Sequence, residues 1–445
     1  MKMIQQDLTT GNITSKLWMF ALPLMLGNVM QQFYNLADTW IVGRYIGSDA
    51  MAAVGSAYTL MTFLTSIILG LCLGSSAFIA MVYGKKDEAL LRNGVFLSFT
   101  MIGIFTVFLC VIVFWQRDHI ITWMQVPKEL HEMMGIYLYY IFMGIVATFF
   151  YNYFSNLLRG IGNSVVPLIF LSISVVLNIT LDVYLIAGLS MGIKGAAVAT
   201  TISQYILGVG LMIYYHVSYP FLHLKKEDCV WNRDTVADIA SLSGYTCMQQ
   251  SVMNFGILVV QGIVNSFGTI VMSAFAVAVK IDTIAYMPVQ DFGNAFSTFV
   301  AQNFGAKKAD RIREGIKKAF VSVAVFCVVI SIAVCTLAEP MMAAFVGADK
   351  REIIEVGVTY LRIEGACYIG IGILFMLYGY YRAVNIPKMS LILTIISLGT
   401  RVFLAYTLPK IAGIGTIGIW VAIPIGWLLA DVYGIWYYFK QKRIN

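Results

Sequence analysis

The sequence predicts an all-α integral membrane protein with twelve transmembrane helices in two pseudo-symmetric six-helix lobes. Its 445 residues are 59% hydrophobic and only 12% charged, whereas soluble chains usually carry about twice that charged fraction. Apolar runs of about 20 residues or more recur along the whole chain, and each is long enough for a helix to cross a hydrocarbon core about 30 Å thick. The chain also resembles itself at an offset near 221 residues, which indicates two copies of one design.

The hydrophobic runs give the order of the predicted helices. The first run is too long for a cleavable signal peptide and lacks a small-residue cleavage site, so we expect it to remain as the first helix. Several runs exceed the length of a bare span, which permits tilt, kinks or ends that project beyond the bilayer. The predicted helices lie near residues 16–43, 51–82, 93–116, 133–157, 164–188, 192–216, 236–265, 269–304, 316–338, 353–381, 387–408 and 415–438.

Lysines and arginines concentrate on one predicted side of the membrane, with clusters at 85–92, 225–233, 307–318 and 440–443. Because positive charge is retained in the cytoplasm during insertion, both termini and the central connector are predicted to be cytoplasmic. The polar stretch YPFLHLKKEDCVWNRD is the natural linker between two lobes. We therefore predict an N-terminal lobe over 1–217, a linker over 218–235, and a C-terminal lobe over 236–445 that ends in a short cytoplasmic tail.

The internal repeat is clearest around the first cytoplasmic turn of each half. SAFIAMVYGKKDEALLRNG aligns with STFVAQNFGAKKADRIREG and places Arg92 opposite Arg313, while GIKGAAVA aligns with GTIGIWVA at an offset of 223. Six helices per half give both halves the same orientation, related by an axis along the membrane normal. Transporters of that build bind their substrates between the halves.

Ionisable side chains inside the predicted helices are the main functional candidates of the first half. An aspartate at a helix centre costs about +2.5 to +3.5 kcal/mol on insertion scales, so a residue of this kind is a functional candidate by default. Asp38 shares one helical face with Tyr34 and Asn35, because spacings of three and four residues put side chains on the same side. Asp182 follows Asn178 by four residues in the fifth predicted helix.

The predicted depths of these groups bring them to one level. Counting 1.5 Å per residue from the outer helix ends, Asp38, Asp182 and Thr200 lie roughly 7 to 12 Å below the outer surface. Burial and a second carboxylate both disfavour negative charge, so a carboxyl pair in such a pocket is suited to hold a proton. We predict that these residues, with Asn178, Tyr34 and Asn35, form a coupling site for H⁺ or Na⁺. The alternative is that the polar groups only hold helices together.

The second half carries a different set of charges, since the repeat places Ala405 opposite Asp182. Such groups are tolerated in a membrane only when paired or facing water, so we predict an ion-pair network. The network is a permanent structural feature, or it opens and closes with the transport cycle, or its acids help to attract a cationic drug. Its predicted members are Lys280, Asp282, Asp291, Arg362, Glu364 and Arg401.

Several ordered motifs resemble the multidrug and toxic compound extrusion (MATE) family over nearly the whole chain. They are LTTGNITSKLWMFALPLMLGNVMQQFYNLADTWIVGRYIG, LLRGIGNSVVPL, LNITLDVYLI and MGIKGAAVATTISQ. The resemblance implies a two-lobed exporter that is driven by inward flow of H⁺ or Na⁺ and expels amphipathic, often cationic compounds. It also implies that Asp38, Asn178, Asp182 and Thr200 match the family's proton-coupling site. Pro23 matches a proline at which the first helix bends.

The expected function is therefore cation-coupled multidrug antiport by alternating access in a bacterial plasma membrane. The expected partners are amphipathic small molecules and the lipid bilayer, with no nucleic acid, and the protein is expected to be a monomer. It is not expected to be an enzyme or to need a cofactor beyond the coupling ion, and the only metal considered is Na⁺ at Asp38, Asn178 and Asp182. The alternative is a flippase for a lipid-linked or polyprenyl-linked substrate, for which Arg362 and Arg401 would bind pyrophosphate.

Overall fold

The computed structural model describes residues 5–124, 128–411 and 413–444, and these residues form α-helices joined by short turns, with no β-strand among them. Within these described residues, ten helices are individually long and apolar enough to cross a membrane. Two further pairs of helices pass the same test together, which gives up to twelve spans. The predicted all-α membrane architecture is therefore confirmed.

The first eight helices follow the predicted runs closely. A short helix, α4, precedes the fourth predicted span. Their bounds are α1 Ile13–Tyr45, α2 Ser48–Lys85, α3 Glu88–Trp115, α4 Arg117–Trp123, α5 His131–Met143, α6 Ile145–Gly160, α7 Val165–Asp182 and α8 Gly192–Ser218.

The remaining helices begin after the polar connector. Positive φ angles at Gly268 and Gly347 let the chain turn sharply before α10 and after α11. The bounds are α9 Arg233–Asn265, α10 Thr269–Gly305, α11 Ala309–Val346, α12 Arg351–Gly365, α13 Tyr368–Ala383, α14 Pro387–Thr407 and α15 Ile417–Ile444.

Two of the predicted spans are bent rather than continuous. The span predicted at 133–157 bends by 41° between α5 and α6, at Gly144. The span predicted at 353–381 bends by 52° between α12 and α13, just after Gly365. Glycine stabilises a helix less than other residues and is a common site of kinks. Hydropathy does not reveal such bends, because the apolar run continues through them.

The chain forms two compact units whose limits cross the predicted lobe boundaries. The first unit comprises residues up to Asp7 together with Leu22–Cys247, and the second comprises Leu8–Ala21 and the chain from Met248 onward. The first turns of α1 therefore belong to the second unit, and the first half of α9 belongs to the first unit. The lobe limits of 1–217 and 236–445 stay a prediction about the sequence repeat.

Close helix contact holds the beginning of α9 within the first unit. A Cβ atom at Gly70 of α2 would lie 2.6 Å from the Cα atom of Cys247, and one at Gly74 would collide with the backbone of Leu242. The small residues therefore let the two backbones approach each other.

The connector before α9 is fixed to α3 by a buried ion pair. Nε of Arg92 donates to Oδ2 of Asp228 at 2.7 Å, and Nη1 of the same arginine donates to the carbonyl oxygen of Phe221 at 3.3 Å. Nδ2 of Asn93 donates to the carbonyl oxygens of Asp228 and Val230, both at 2.8 Å. The connector is thus part of the first unit's hydrogen-bonded structure.

Candidate functional site

The candidate site lies within the first unit and is built by α1, α7 and α8. Asp38 is seven residues before the end of α1 at Tyr45, and Asp182 is the last residue of α7. Their exposed fractions are 8% and 0%, respectively. Thr200 lies in the first half of α8, the helix that returns after α7, so the structure brings together the three residues that the sequence placed at one depth.

A π-helical turn follows Asp182 immediately. Residues Val183–Gly188 are π-helical, and the N–H group of Leu189 donates to the carbonyl oxygen of Tyr184, five residues earlier, at 3.0 Å. Such turns insert one extra residue into a helix and occur frequently at functional sites. The α-helical hydrogen-bond pattern therefore changes at the buried acid.

Asn178 connects Asp182 to α8. In the amide orientation that satisfies both of its ends, Nδ2 of Asn178 donates to Oδ2 of Asp182 at 2.8 Å, and its Oδ1 accepts from the backbone N–H of Thr200 at 3.2 Å. The hydroxyl group of Tyr34 donates to Oγ1 of Thr200 at 3.4 Å. One continuous set of hydrogen bonds therefore runs from α1 through α8 to the acid on α7.

The carboxyl groups of Asp38 and Asp182 lie within hydrogen-bonding reach of each other. A hydrogen bond between two carboxyl groups requires one proton, and two carboxylates this close cannot both keep their charge at low cost. Oδ1 of each residue is buried and has no hydrogen-bond partner among the described residues. The pair is therefore built to exchange a proton, and its free oxygen atoms are available to a cation.

The other two predicted residues of the first half lie apart from the pair. Nδ2 of Asn35 donates to the hydroxyl of Tyr58 at 3.2 Å in an exposed position. Pro23 lies inside α1, which is helical without interruption from Ile13 to Tyr45. It stands fifteen residues before Asp38, or about 22 Å along the helix.

Tyr137 is a member of this site that sequence reasoning missed. It is 7% exposed and lies close enough to Asp38, Asp182 and Tyr34 to interact with them electrostatically. Its helix, α5, packs against α8. A phenol among several in the stretch IYLYYIF gives no signal of its own, because its direction depends on how α5 packs.

The second unit holds a separate cluster of buried acids. The hydroxyl of Tyr368 donates to Oδ1 of Asp282 at 2.7 Å, and the hydroxyl of Tyr360 donates to Oδ2 of the same residue at 3.4 Å. Glu364 is 1% exposed and lies within hydrogen-bonding reach of Asp282. The predicted acids of α10 and α12 therefore meet, and two tyrosines that the prediction did not include hold them.

The predicted cations of the second half differ in their exposure and in their distance from the buried acids. Arg401 of α14 lies close enough to Asp282 and Glu364 to attract both. Lys280 and Arg362 are exposed, and Nε of Arg362 donates to the carbonyl oxygen of Cys335 at 3.4 Å. Asp291 is 4% exposed and lies nine residues further along α10 than Asp282. The cluster thus consists of two acids, one arginine and tyrosine hydroxyl groups.

No group of three or more histidine, cysteine, aspartate or glutamate side chains suited to a metal ion occurs within residues 5–124, 128–411 and 413–444. A sodium ion at the first-unit pair would therefore depend on two carboxyl groups supplemented by hydroxyl oxygen atoms. Thr200 and Tyr34 supply such hydroxyl groups beside the pair, whereas Asn178 turns its amide nitrogen to Asp182 and its oxygen to the N–H of Thr200.

Comparison with known proteins gives matches along almost the entire chain. The family model MatE matches residues 23–184 and 246–407. The probable multidrug resistance protein YpnP of Bacillus subtilis is 26% identical and aligns with 97% of this chain and 96% of its own. The probable multidrug resistance protein NorM of Thermotoga maritima is 25% identical over 94% of this chain and 90% of its own.

A solved structure has the same fold. It is described as the outward-facing conformation of a multidrug resistance MATE family transporter, and it superposes with a TM-score of 0.91 at 22% sequence identity over 98% of both chains. The two segments matched by the family model begin 223 residues apart, which is the offset of the repeat seen in the sequence.

Proposed function

Because the chain belongs to the MatE family of membrane transporters, we propose that it exports amphipathic, often cationic compounds in exchange for protons. Export of drugs is what the names of the relatives YpnP and NorM suggest. The exchange with protons is inferred from the site itself. In alternating access, the two lobes expose the bound substrate first to one side of the membrane and then to the other. This would couple export of the drug to entry of protons.

One observation supports the proton as the coupling ion. The buried carboxyl groups of Asp38 and Asp182 lie within hydrogen-bonding reach, and their hydrogen bond needs exactly one proton. Loss of that proton would leave two negative charges that repel each other. Proton uptake would therefore change the contacts between α1 and α7, which is the local rearrangement that a coupled transporter requires.

The driving force depends on the net charge moved. Each net charge that enters down the membrane potential contributes about 2.3 kcal/mol per 100 mV, in addition to the concentration gradient of the proton. An exchange of one proton for one monovalent cation moves no net charge and draws on the concentration gradient alone. In the proposed cycle, protonation of the pair favours release of the drug on the outside, and loss of the proton to the cytoplasm resets the site.

We assign a structural role to the cluster around Asp282 and Glu364. Buried charges are costly unless they are hydrogen-bonded and paired, and Tyr368 and Tyr360 supply hydrogen bonds to Asp282. The attraction from Arg401 also compensates for the charge of the acids. A cation site in the second unit is the competing interpretation, and Tyr368→Phe separates the two.

We further propose that both termini are cytoplasmic, which the basic clusters favour, and that the protein lies in a bacterial plasma membrane, as its family and relatives suggest. We also propose that it functions as a monomer. A flippase for a lipid-linked substrate is less well supported, since the relatives are described as multidrug resistance proteins and the first-unit site is acidic rather than basic.

The test is dye uptake by everted membrane vesicles. Ethidium serves as the fluorescent cation, and an interior-acid pH gradient, an interior-sodium gradient or neither is imposed. We expect uptake with the pH gradient alone, at a rate that vesicles lacking the protein do not reach. Uptake that responds only to the sodium gradient would replace H⁺ by Na⁺ as the coupling ion. Absence of protein-dependent uptake of ethidium and of a panel of other amphipathic cations would reject the exporter.

A further inference from the structure

A buried acid that sequence reasoning missed lies in the middle of α15. Asp431 is 4% exposed and stands fourteen residues after the first residue of this helix, about 21 Å along its axis. Its Oδ1 atom is buried and has no hydrogen-bond partner among the described residues. An aspartate so far from both helix ends is among the most costly residues in a membrane helix.

The space beside Asp431 is made by a glycine. A Cβ atom at Gly370 of α13 would lie 3.7 Å from Oδ2 of Asp431 and 3.4 Å from Cβ of Trp427. Gly370 itself is partly exposed. The second oxygen atom of Asp431 therefore faces a gap that a methyl group would fill at ordinary contact distance.

The repeat makes this arrangement specific to the second unit. At the offset of 223 residues, Gly208 corresponds to Asp431 and Ala147 corresponds to Gly370. In the first unit, a Cβ atom at Gly208 would lie 2.8 Å from the carbonyl oxygen of Ala147, so the two helices touch there. The second unit thus has an acid where the first has a glycine, and a glycine where the first has an alanine.

The charged groups around α15 do not neutralise Asp431. Helices α12, α13 and α14 pack against α15, and so does the short segment Leu408–Lys410, in which Lys410 is exposed. The titratable group that interacts with Asp431 is Tyr378 of α13, whose hydroxyl also bonds to Thr394 of α14. The remaining buried charges of these three helices are engaged elsewhere: Glu364 and Arg401 interact with Asp282, and Arg382 donates to Ser297 at 3.3 Å and to Asn294 at 3.0 Å.

We propose that Asp431 is a second proton-binding site, located in the second unit and reached from the side of Gly370. The carboxylate takes up one proton from water, which turns the side chain from a charge of −1 to a neutral carboxylic acid. A proton fits better than a metal ion, because it needs only one oxygen atom whereas a hard cation needs several oxygen ligands. The site's part in transport rests on the proposed function, and its proton binding does not.

The first test observes the proton directly. Infrared difference spectra of the purified protein in liposomes, recorded over a pH series, report the carbonyl stretch of protonated carboxyl groups. We expect one such band to be absent in Asp431→Asn and unchanged in Asp310→Asn, a matched control because the Asp310 side chain is 99% exposed. Both variants are compared only if they elute as monodisperse protein and unfold at a temperature close to that of the unmodified chain.

A second variant tests whether protons reach Asp431 from the side of Gly370. Gly370→Ala places a methyl group at ordinary contact distance from Oδ2 of Asp431, so the fold is preserved. We expect the band assigned to Asp431 to remain and its response to a pH jump to slow severalfold. If Asp431→Asn keeps every carboxyl band of the unmodified chain, the proton site would be overturned. If the band assigned to Asp431 responds to a pH jump as fast in Gly370→Ala as in the unmodified chain, access from the side of Gly370 would be overturned.

The second test counts protons during transport. Liposomes containing a pH-sensitive dye report the protons that move per ethidium ion. We expect Asp431→Asn to export ethidium with one proton fewer, whereas an unchanged ratio would overturn the role in coupling. Loss of the infrared band on addition of sodium chloride at constant pH would also overturn the proton assignment. Failure of the unmodified protein to move ethidium would reject the proposed function and leave the infrared result intact.

Discussion

The carboxyl groups of Asp38 in α1 and Asp182 in α7 lie within hydrogen-bonding reach, and neither residue exceeds 8% exposure. Two acids from distant parts of the chain are therefore held together in the interior of the first unit. Their mutual repulsion when both are charged is the physical reason why the pair is sensitive to protons.

Asp38→Asn removes one of the two acids and keeps the shape of the side chain. We expect ethidium transport driven by a pH gradient to fall about tenfold or more, which is within the usual 5- to 150-fold range of coupling between two ligands. Dye binding measured by fluorescence anisotropy should persist, because the proposal assigns Asp38 to proton coupling and not to substrate binding. Asp118→Asn is the control, since the Asp118 side chain is 76% exposed. Full gradient-driven transport by Asp38→Asn would remove the pair from the coupling mechanism.

Tyr137→Phe deletes a hydroxyl beside the acid pair without creating a large cavity. Loss of one polar neighbour is worth about 1 kcal/mol, so we expect the pH midpoint of transport to shift by less than about one unit. Tyr139→Phe is the matched control in the same helix, because Tyr139 is 41% exposed. Identical pH profiles for both variants would show that Tyr137 takes no part in the site.

Arg92→Ala should destabilise the first unit, because it leaves Asp228 buried without its ion-pair partner. A hydrogen bond between charged groups contributes about 1.5–3 kcal/mol, and we expect a loss of that size, measured as a lower unfolding temperature in detergent. Arg313→Ala tests the corresponding position of the repeat, where the side chain is 59% exposed. Equal losses for the two variants would contradict the role of the connector.

The same ion pair makes stability depend on acid. Desolvation alone would raise the pKa of Asp228, but the hydrogen bonds from Arg92 and from the Lys225 backbone outweigh it and hold this pKa below its ordinary value. The pair therefore stabilises the fold fully above the pKa of the unfolded chain, about 3.9. Its contribution is lost as the pH falls through the lower pKa of the folded state. Below about pH 4, the difference in unfolding temperature between Arg92→Ala and the unmodified chain should therefore become smaller.

Tyr368→Phe distinguishes a structural from a coupling role for the second-unit cluster. Removal of the 2.7 Å hydrogen bond to Asp282 should lower the free energy of unfolding by about 1.5–3 kcal/mol, with the pH profile of transport unchanged. Tyr406→Phe, on an exposed face of α14, is the control. A shifted pH profile without a loss of stability would instead favour ion binding at Asp282 and Glu364.

Much of the fold could be predicted because each span needs a long apolar run, and such runs can be recognised in the sequence without knowledge of packing. The resemblance to the MATE family, carried by residues such as those around Asp38 and Asn178, is confirmed by the match of the family model. The bend at Gly144 could not be predicted from hydropathy, which is the same on both sides of it. The exchange of Leu8–Ala21 between the units depends on contacts distant in sequence, and no local pattern encodes them.

The candidate site could be predicted in part for a similar reason. Depth along a helix follows from counting residues, so the sequence could predict that Asp38, Asp182 and Thr200 lie at one level. Direction around a helix is less certain, and Asn35 faces Tyr58 instead of the pair. Asp431 lies inside the helix predicted at 415–438, so the cost of an acid near a helix centre was a signal in the sequence. Its lack of a partner for Oδ1 could not be predicted, because it depends on how α15 packs against its neighbours.

The sharing of α1 and α9 between the two compact units also bears on how such a chain arose by gene duplication. A fragment that ends at residue 217 lacks the part of α9 that covers Gly70 and Gly74. A fragment that begins at residue 236 lacks Leu8–Ala21, whose carbonyl groups at Leu8 and Gly11 accept hydrogen bonds from Arg311. Each half is thus incomplete alone, and an ancestral single-repeat protein with this exchange would have needed a second copy of itself to complete each unit.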